Sequence, residues 1–73
     1  MDVAQEFGSI VRAERTKKGW TQAELAYRAG LDTDTIGLYE RGRRQPLIET
    51  VVKLEIALNI APGSLVILLH EHL

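Results

Sequence analysis

Thr21–Gly42, TQAELAYRAGLDTDTIGLYERG, is the stretch whose reading decides the fold. Thr21-Gln22-Ala23-Glu24 fits a capping box, in which the threonine and glutamate side chains each satisfy an orphan amide at a helix start. Leu25, Ala26 and Ala29 follow at helical spacing and face inward. Gly30 tolerates the positive φ that ends such a helix in a turn. Leu31 is then an apolar plug, and Asp32 is a good N-cap for a further helix running to about Arg41, with Ile36 and Tyr39 pointing inward. Gly42 stops it. Ala26 stands where two helices must cross closely, because a large side chain there would push them apart. Each feature alone is weak, but together in register they specify two short helices joined by a tight turn.

Outward from this pair, the spacing of Phe7, Ile10 and Val11 predicts a helix from about Val3 to Lys18, stopped at Gly19. After the loop Arg43-Arg44-Gln45-Pro46, a fourth helix is expected from Ile48 to Asn59. A fifth begins near Pro62, a residue suited to a first helical turn, and frays at His70-Glu71-His72-Leu73. No stretch reads as a strand, a repeat or a linker. The predicted fold class is all-α: a five-helix bundle forming one domain over residues 1–73.

A chain of 73 residues buries only about 60% of its unfolded surface. With no cysteine it has neither a disulfide nor a thiolate metal site. Tight helix packing and oligomerisation are the remaining routes to stability. MDVAQEFGSIVRAER is polar and charged too early for a signal peptide, and no run of about 18 apolar residues exists. The expected setting is therefore cytoplasmic, without a membrane partner. His70 and His72 fall on different faces of a helix and lack further ligands, and Ser9 and Ser64 lack a histidine partner. Asp32 and Asp34 are a carboxylate pair in sequence, but the first serves as a helix cap and the second belongs to the helix start. No catalytic constellation, metal site or cofactor is expected.

The formal net charge of −1 hides an uneven distribution. Arg12, Arg15, Lys17, Lys18, Arg28, Arg41, Arg43 and Arg44 lie together with only Glu14, Glu24, Asp32, Asp34 and Glu40 among them, a local excess of three positive charges. Such local distribution bears on nucleic-acid binding more than the sum does. The apolar residues are also unevenly placed. Leu65-Val66-Ile67-Leu68-Leu69 is apolar all round, and helix 4 carries two stripes, Val51, Leu54, Leu58 and Ile48, Val52, Ile56. One small core cannot bury all of these, and exposed patches of this kind mark a partner surface. Ile48, Val52, Ile56, Val66, Ile67 and Leu69 are the candidate residues of a homodimer interface.

GWTQAELAYRAGLDTDTIGLYERGRRQP resembles the helix-turn-helix of the lambda-repressor and Cro-like family, a likeness extending over about Phe7 to Ile60. The short chain is also similar to the controller proteins of bacterial restriction-modification systems. The resemblance implies a lambda-repressor-like five-helix fold acting as a symmetric dimer on a near-palindromic DNA operator. It implies base reading by Thr33, Asp34 and Thr35, with Gly37 on the same face, and phosphate contact by Gln22 and by Arg41, Arg43 and Arg44. Lys17 and Lys18 are further phosphate candidates from their place in the basic cluster. An internal ion pair between Arg15 and Glu40 is implied likewise. The controller likeness implies activation of its own and the endonuclease gene at low level and repression at high level. RNA polymerase would be a further partner at helix 2, where Ala23 and Tyr27 replace the acids of lambda-type activators and Glu24 lies nearby. Glu14 stands where the family usually has an apolar residue, and Leu47 replaces the usual polar cap of helix 4.

Two roles fit Thr33, Asp34 and Thr35: all suit a first helical turn, where Asp34 complements the helix dipole, and all can meet base edges. An ionised Asp34 only accepts hydrogen bonds, so a cytosine or adenine amino group is its natural partner. A phage-type or antitoxin-type repressor is the alternative within the same class. A helical protein-interaction module without a DNA role is the alternative from another.

Overall fold

The computed structural model describes residues 2–73, which form five α-helices and no strand: α1 (Val3–Lys17), α2 (Gln22–Ala29), α3 (Thr33–Glu40), α4 (Ile48–Leu58) and α5 (Ser64–His72). The expected all-α, five-helix architecture is the one observed. Three helices begin on the residues that chemistry favours. Asp2 accepts from the Gln5 amide at 3.2 Å, Thr21 from the Glu24 amide at 3.1 Å, and Asp32 from the Thr35 amide at 2.8 Å. The capping box of α2 is only half formed. The Glu24 carboxylate does not reach back to Thr21 but forward to Arg28 Nε at 2.7 Å, an acid-before-base pair one turn apart. Leu47 gives α4 no side-chain cap.

The tight turn between α2 and α3 is closed by Gly30 at φ +69°, where a side chain would be strained. The Gly30 N–H reaches Tyr27 O at 3.3 Å, and the Leu31 N–H reaches Ala26 O at 2.9 Å. Orphan carbonyls of α2 are thereby satisfied in a Schellman arrangement. Leu31 is half-buried against the core, as expected.

α5 starts two residues later than expected. Pro62 lies in the preceding turn, because Gly63 at φ +83° cannot belong to a right-handed helix. The free amides at this helix start are not left to solvent. The buried carboxylate of Glu55 accepts from Gly63 N–H and Leu65 N–H, each at 3.0 Å. A side chain of α4 therefore caps α5 and fixes the angle between them. No local sequence pattern marks this role of Glu55.

The core joins Phe7, Ile10 and Val11 of α1 to Leu25, Ala26 and Ala29 of α2, Ile36 and Tyr39 of α3, Leu54 and Leu58 of α4, and Leu65 of α5. Phe7 and Tyr39 meet edge to face, with ring centroids 6.3 Å apart. α1 packs on α3 and α5, and α2 on α3 and α4. The closest backbone approach is at Gly8, where an added Cβ would lie 2.0 Å from Tyr39 O. Only a residue without a side chain lets α1 and α3 meet there.

Above this contact lies an ion pair with two parallel hydrogen bonds. Arg15 Nε donates to Glu40 Oε2 at 2.7 Å and Nη2 to Oε1 at 3.0 Å. Arg15 Nη1 donates to Trp20 O at 2.7 Å, and Gln22 Nε2 donates to Glu40 Oε1 at 3.0 Å. The two charged side chains are only 11% and 3% exposed. The hydrogen bond with Glu40 raises the Arg15 pKa further, against the opposing effect of burial. No described helix is long and apolar enough to cross a membrane.

Two outcomes follow from this geometry. Glu40→Ala strands the Arg15 guanidinium and should lower unfolding free energy by about 3–5 kcal/mol, read from denaturant transitions; an unshifted midpoint would contradict a buried pair. Asp32 has its carboxyl held below the usual carboxylate range, chiefly by the Thr35 N–H, then by the Thr35 side chain, with a contribution from the nearby Arg44 charge. A depressed folded-state pKa means that its stabilisation is complete above about pH 4 and is lost as pH falls through the folded value. The stability gap between wild type and Asp32→Ala should be flat from neutral pH down to that point and then narrow. A gap that instead narrows toward alkaline pH would contradict the cap.

Candidate nucleic-acid interface

The first turn of α3 is fixed from behind and open in front. Asp32 caps it, Ile36 one turn on is buried, and Thr33 and Asp34 stand exposed at its start, with Thr35 half-buried beside them. Asp34 makes no ion pair among the described residues. A rigid helix end thus presents Thr33 and Asp34, which between them can donate, accept and offer a methyl group to base edges, while the half-buried Thr35 also supports the Asp32 carboxylate.

Gly37 lies one turn further along. Its φ is helical, so no turn requires glycine, and glycine within a helix costs about 0.5–1 kcal/mol relative to alanine. What it provides is space. Gly37 is buried, and an added Cβ would lie 3.0 Å from Arg41 Nη1 and 3.7 Å from Gln22 Oε1. Gly37, expected on the base-reading face, is covered there by two longer side chains. The Arg41 guanidinium and the Gln22 amide form the surface at that point. The Gln22 Nε2 amine is committed to Glu40, so its carbonyl oxygen faces this side.

Arg43 and Arg44 are exposed on the loop after α3, and neither makes an ion pair among the described residues. Lys17 and Lys18 are engaged differently. Lys17 pairs with Glu14 at 2.8 Å, and Lys18 lies 5.9 Å from the centroid of the Trp20 ring. Arg28 stacks on the same ring at 4.2 Å. The basic cluster therefore divides into cations bound to neighbours, namely Arg15, Lys17, Lys18 and Arg28, and cations without an ion pair among the described residues, namely Arg12 on α1 and Arg41, Arg43 and Arg44 at and after the end of α3.

Away from these residues in the chain, Ile48, Val52, Ile56 and Val66 line one apolar groove between α4 and α5. Ile48 and Ile56 are 81% and 74% exposed. Ile67 is exposed but lies outside that groove, and Leu69 packs in part against the chain's own core and also lines a separate groove with Val3 and Phe7. The apolar run of α5 from Leu65 to Leu69 places Leu68 and Leu69 against the core and Val66 and Ile67 outside.

This geometry is shared. A helix-turn-helix family model matches residues 11–65. The crystal structure of the restriction-modification controller protein C.AhdI from Aeromonas hydrophila superposes with a TM-score of 0.82 at 40% identity, covering 85% of this chain and 94% of that one. An uncharacterized HTH-type transcriptional regulator of Sinorhizobium fredii, y4dJ, is 36% identical over 90% of this chain and 86% of its own length. An uncharacterized HTH-type transcriptional regulator of Mycobacterium tuberculosis is 39% identical over 78% of this chain, but the match spans only 22% of that longer protein. The chain belongs to the helix-turn-helix family of transcriptional regulators.

Proposed function

We propose that the chain is a sequence-specific regulator that binds a near-palindromic operator as a homodimer and serves as the controller of a restriction-modification system. The observation that carries the reading is the first turn of α3. Thr33, Asp34 and Thr35 are displayed on a helix end that a cap and a buried ion pair hold in place. A carboxylate near DNA repels phosphate, so an exposed Asp34 at this position fits base reading better than general affinity. Arg43 and Arg44 supply phosphate contacts that position the protein without specifying sequence. The controller role is supported by the 40% identity to C.AhdI across nearly the whole of that chain. It entails activation of its own and the endonuclease gene at low level and repression at high level.

The dimer is supported by the groove of Ile48, Val52, Ile56 and Val66. Two copies meeting there about a twofold axis would bury apolar surface that one chain leaves in water. A symmetric pair on a palindromic operator needs its recognition helices about one helical turn apart, roughly 34 Å.

Duplexes selected by the protein from a randomised pool provide the test. Binding should weaken steeply with salt, and Arg43→Ala and Arg44→Ala should each reduce the salt slope by about one while weakening all sequences alike. Asp34→Ala should leave folding nearly intact and relax discrimination at one position per half-site by about 1–3 kcal/mol. A single-base profile identical to wild type would leave Asp34 as a helix-start residue only. Sedimentation should show a dimer at tens of micromolar and a monomer for Ile56→Asp, since a buried unpaired charge costs at least a few kcal/mol. Wild type sedimenting as a monomer there would remove the dimer. Transcription from the promoter upstream of its own gene, rising and then falling with protein level, checks the controller role.

A further inference from the structure

We infer that Arg41 is a base-reading residue that recognises a guanine in the major groove, and that Gly37 is the seat that aims it. This rests on the DNA-binding reading above and separates Arg41 from the phosphate-contacting arginines with which the family resemblance groups it. Thr33, Gly37 and Arg41 recur at four-residue intervals and so share one face of α3 and its C-terminal boundary. Long helical side chains lean toward the helix N-terminus, covering the turn before their own Cα. Arg41 does so here because Gly37 has no side chain to stop it, and Nη1 sits 3.0 Å from where a Cβ would be. The guanidinium is thereby carried about one turn, roughly 5 Å, back from the loop toward Thr33.

One further observation leaves Arg41 available for contact, and two favour a base over a phosphate. Arg41 is exposed and makes no ion pair among the described residues, so its donors are free. The Gln22 carbonyl oxygen lies over the same glycine, 3.7 Å from the Cβ position, an acceptor able to orient the fork. The other polar groups in the first turn of α3, two hydroxyls and a carboxylate, include no fork of paired donors. A planar guanidinium supplies that fork and matches guanine O6 and N7 with two parallel hydrogen bonds.

The experiment uses the full chain and duplexes selected from a randomised pool by wild type, Arg41→Ala, Arg41→Lys and Gly37→Ala. Wild type should require one guanine per half-site, with a preference of roughly 5- to 150-fold. Replacing that guanine by 7-deazaguanine, which lacks the N7 acceptor, should weaken wild type and leave Arg41→Ala unaffected. Arg41→Lys keeps the charge without the planar fork and should lose the guanine preference while retaining affinity for unrelated duplex. Gly37→Ala should lose it while melting no lower than wild type, because the seat is taken and the helix gains alanine. If Arg41→Ala weakens every duplex alike and Arg41→Lys selects the wild-type sequence, Arg41 is a phosphate contact and the proposal fails while the DNA-binding reading stands. A Gly37→Ala profile identical to wild type overturns the role of the seat. Absence of salt-dependent binding to any duplex overturns both readings.

Discussion

The Arg15–Glu40 pair is the interaction on which the arrangement of the other parts depends. Its two hydrogen bonds, 2.7 and 3.0 Å long, join the last turn of α1 to the last residue of α3. The third Arg15 nitrogen holds the Trp20 carbonyl, and Glu40 also receives the Gln22 amide from the start of α2. Three helix termini therefore meet at one carboxylate. A charge pair this well buried contributes little net stability compared with an apolar substitute, because desolvation offsets the attraction. Its geometry is strict, however, and a wrong helix register would leave a buried charge unpaired. With Gly8 allowing α1 and α3 to touch, the pair sets the depth and rotation of α3, and with them the direction of Thr33 and Asp34.

Much of the fold was legible because its signals are local. Thr21 and Asp32 start their helices through their own side chains, and Gly30 ends one by a backbone conformation that few other residues adopt. Phe7, Ile10, Leu25, Ile36 and Tyr39 announce buried faces by spacing alone. What stayed hidden depends on contacts distant in sequence. Gly8 sits inside a helix with no local mark that another backbone passes 2.0 Å from its missing Cβ. Glu55 caps α5 from α4 across eight to ten residues of sequence, and no local pattern marks it. The start of α5 was misplaced for the same reason, since Gly63 and Glu55 set it while Pro62 suggested an earlier turn. The Arg15–Glu40 pair was legible only through family likeness. Arg41 folding over Gly37 needs both the missing side chain and the backward lean, neither of which is a sequence pattern in itself.

The two candidate surfaces lie on different helices. The unpaired guanidiniums and the polar start of α3 lie with α2, and the surplus apolar surface lies on α4 and α5. These are linked by necessity in so small a domain. A core of this size leaves limited stability, and burial of Ile48, Val52, Ile56 and Val66 by a second copy would add to it. The same contact would set the spacing of two recognition helices, so association and site recognition would be one event. Under that proposal gene control would respond to the concentration of the protein itself, because only a dimer would span both half-sites.

The claim that α3 of each subunit enters a major groove of one operator is tested most directly by hydroxyl-radical footprinting. The DNA is the segment upstream of the protein's own gene, and the protein is the intact chain. The account predicts paired zones of protection on one face of the duplex, with centres about one helical turn, roughly 34 Å, apart and related by the symmetry of the sequence. A single unpaired zone, or no protection at concentrations where the protein is dimeric, would contradict it.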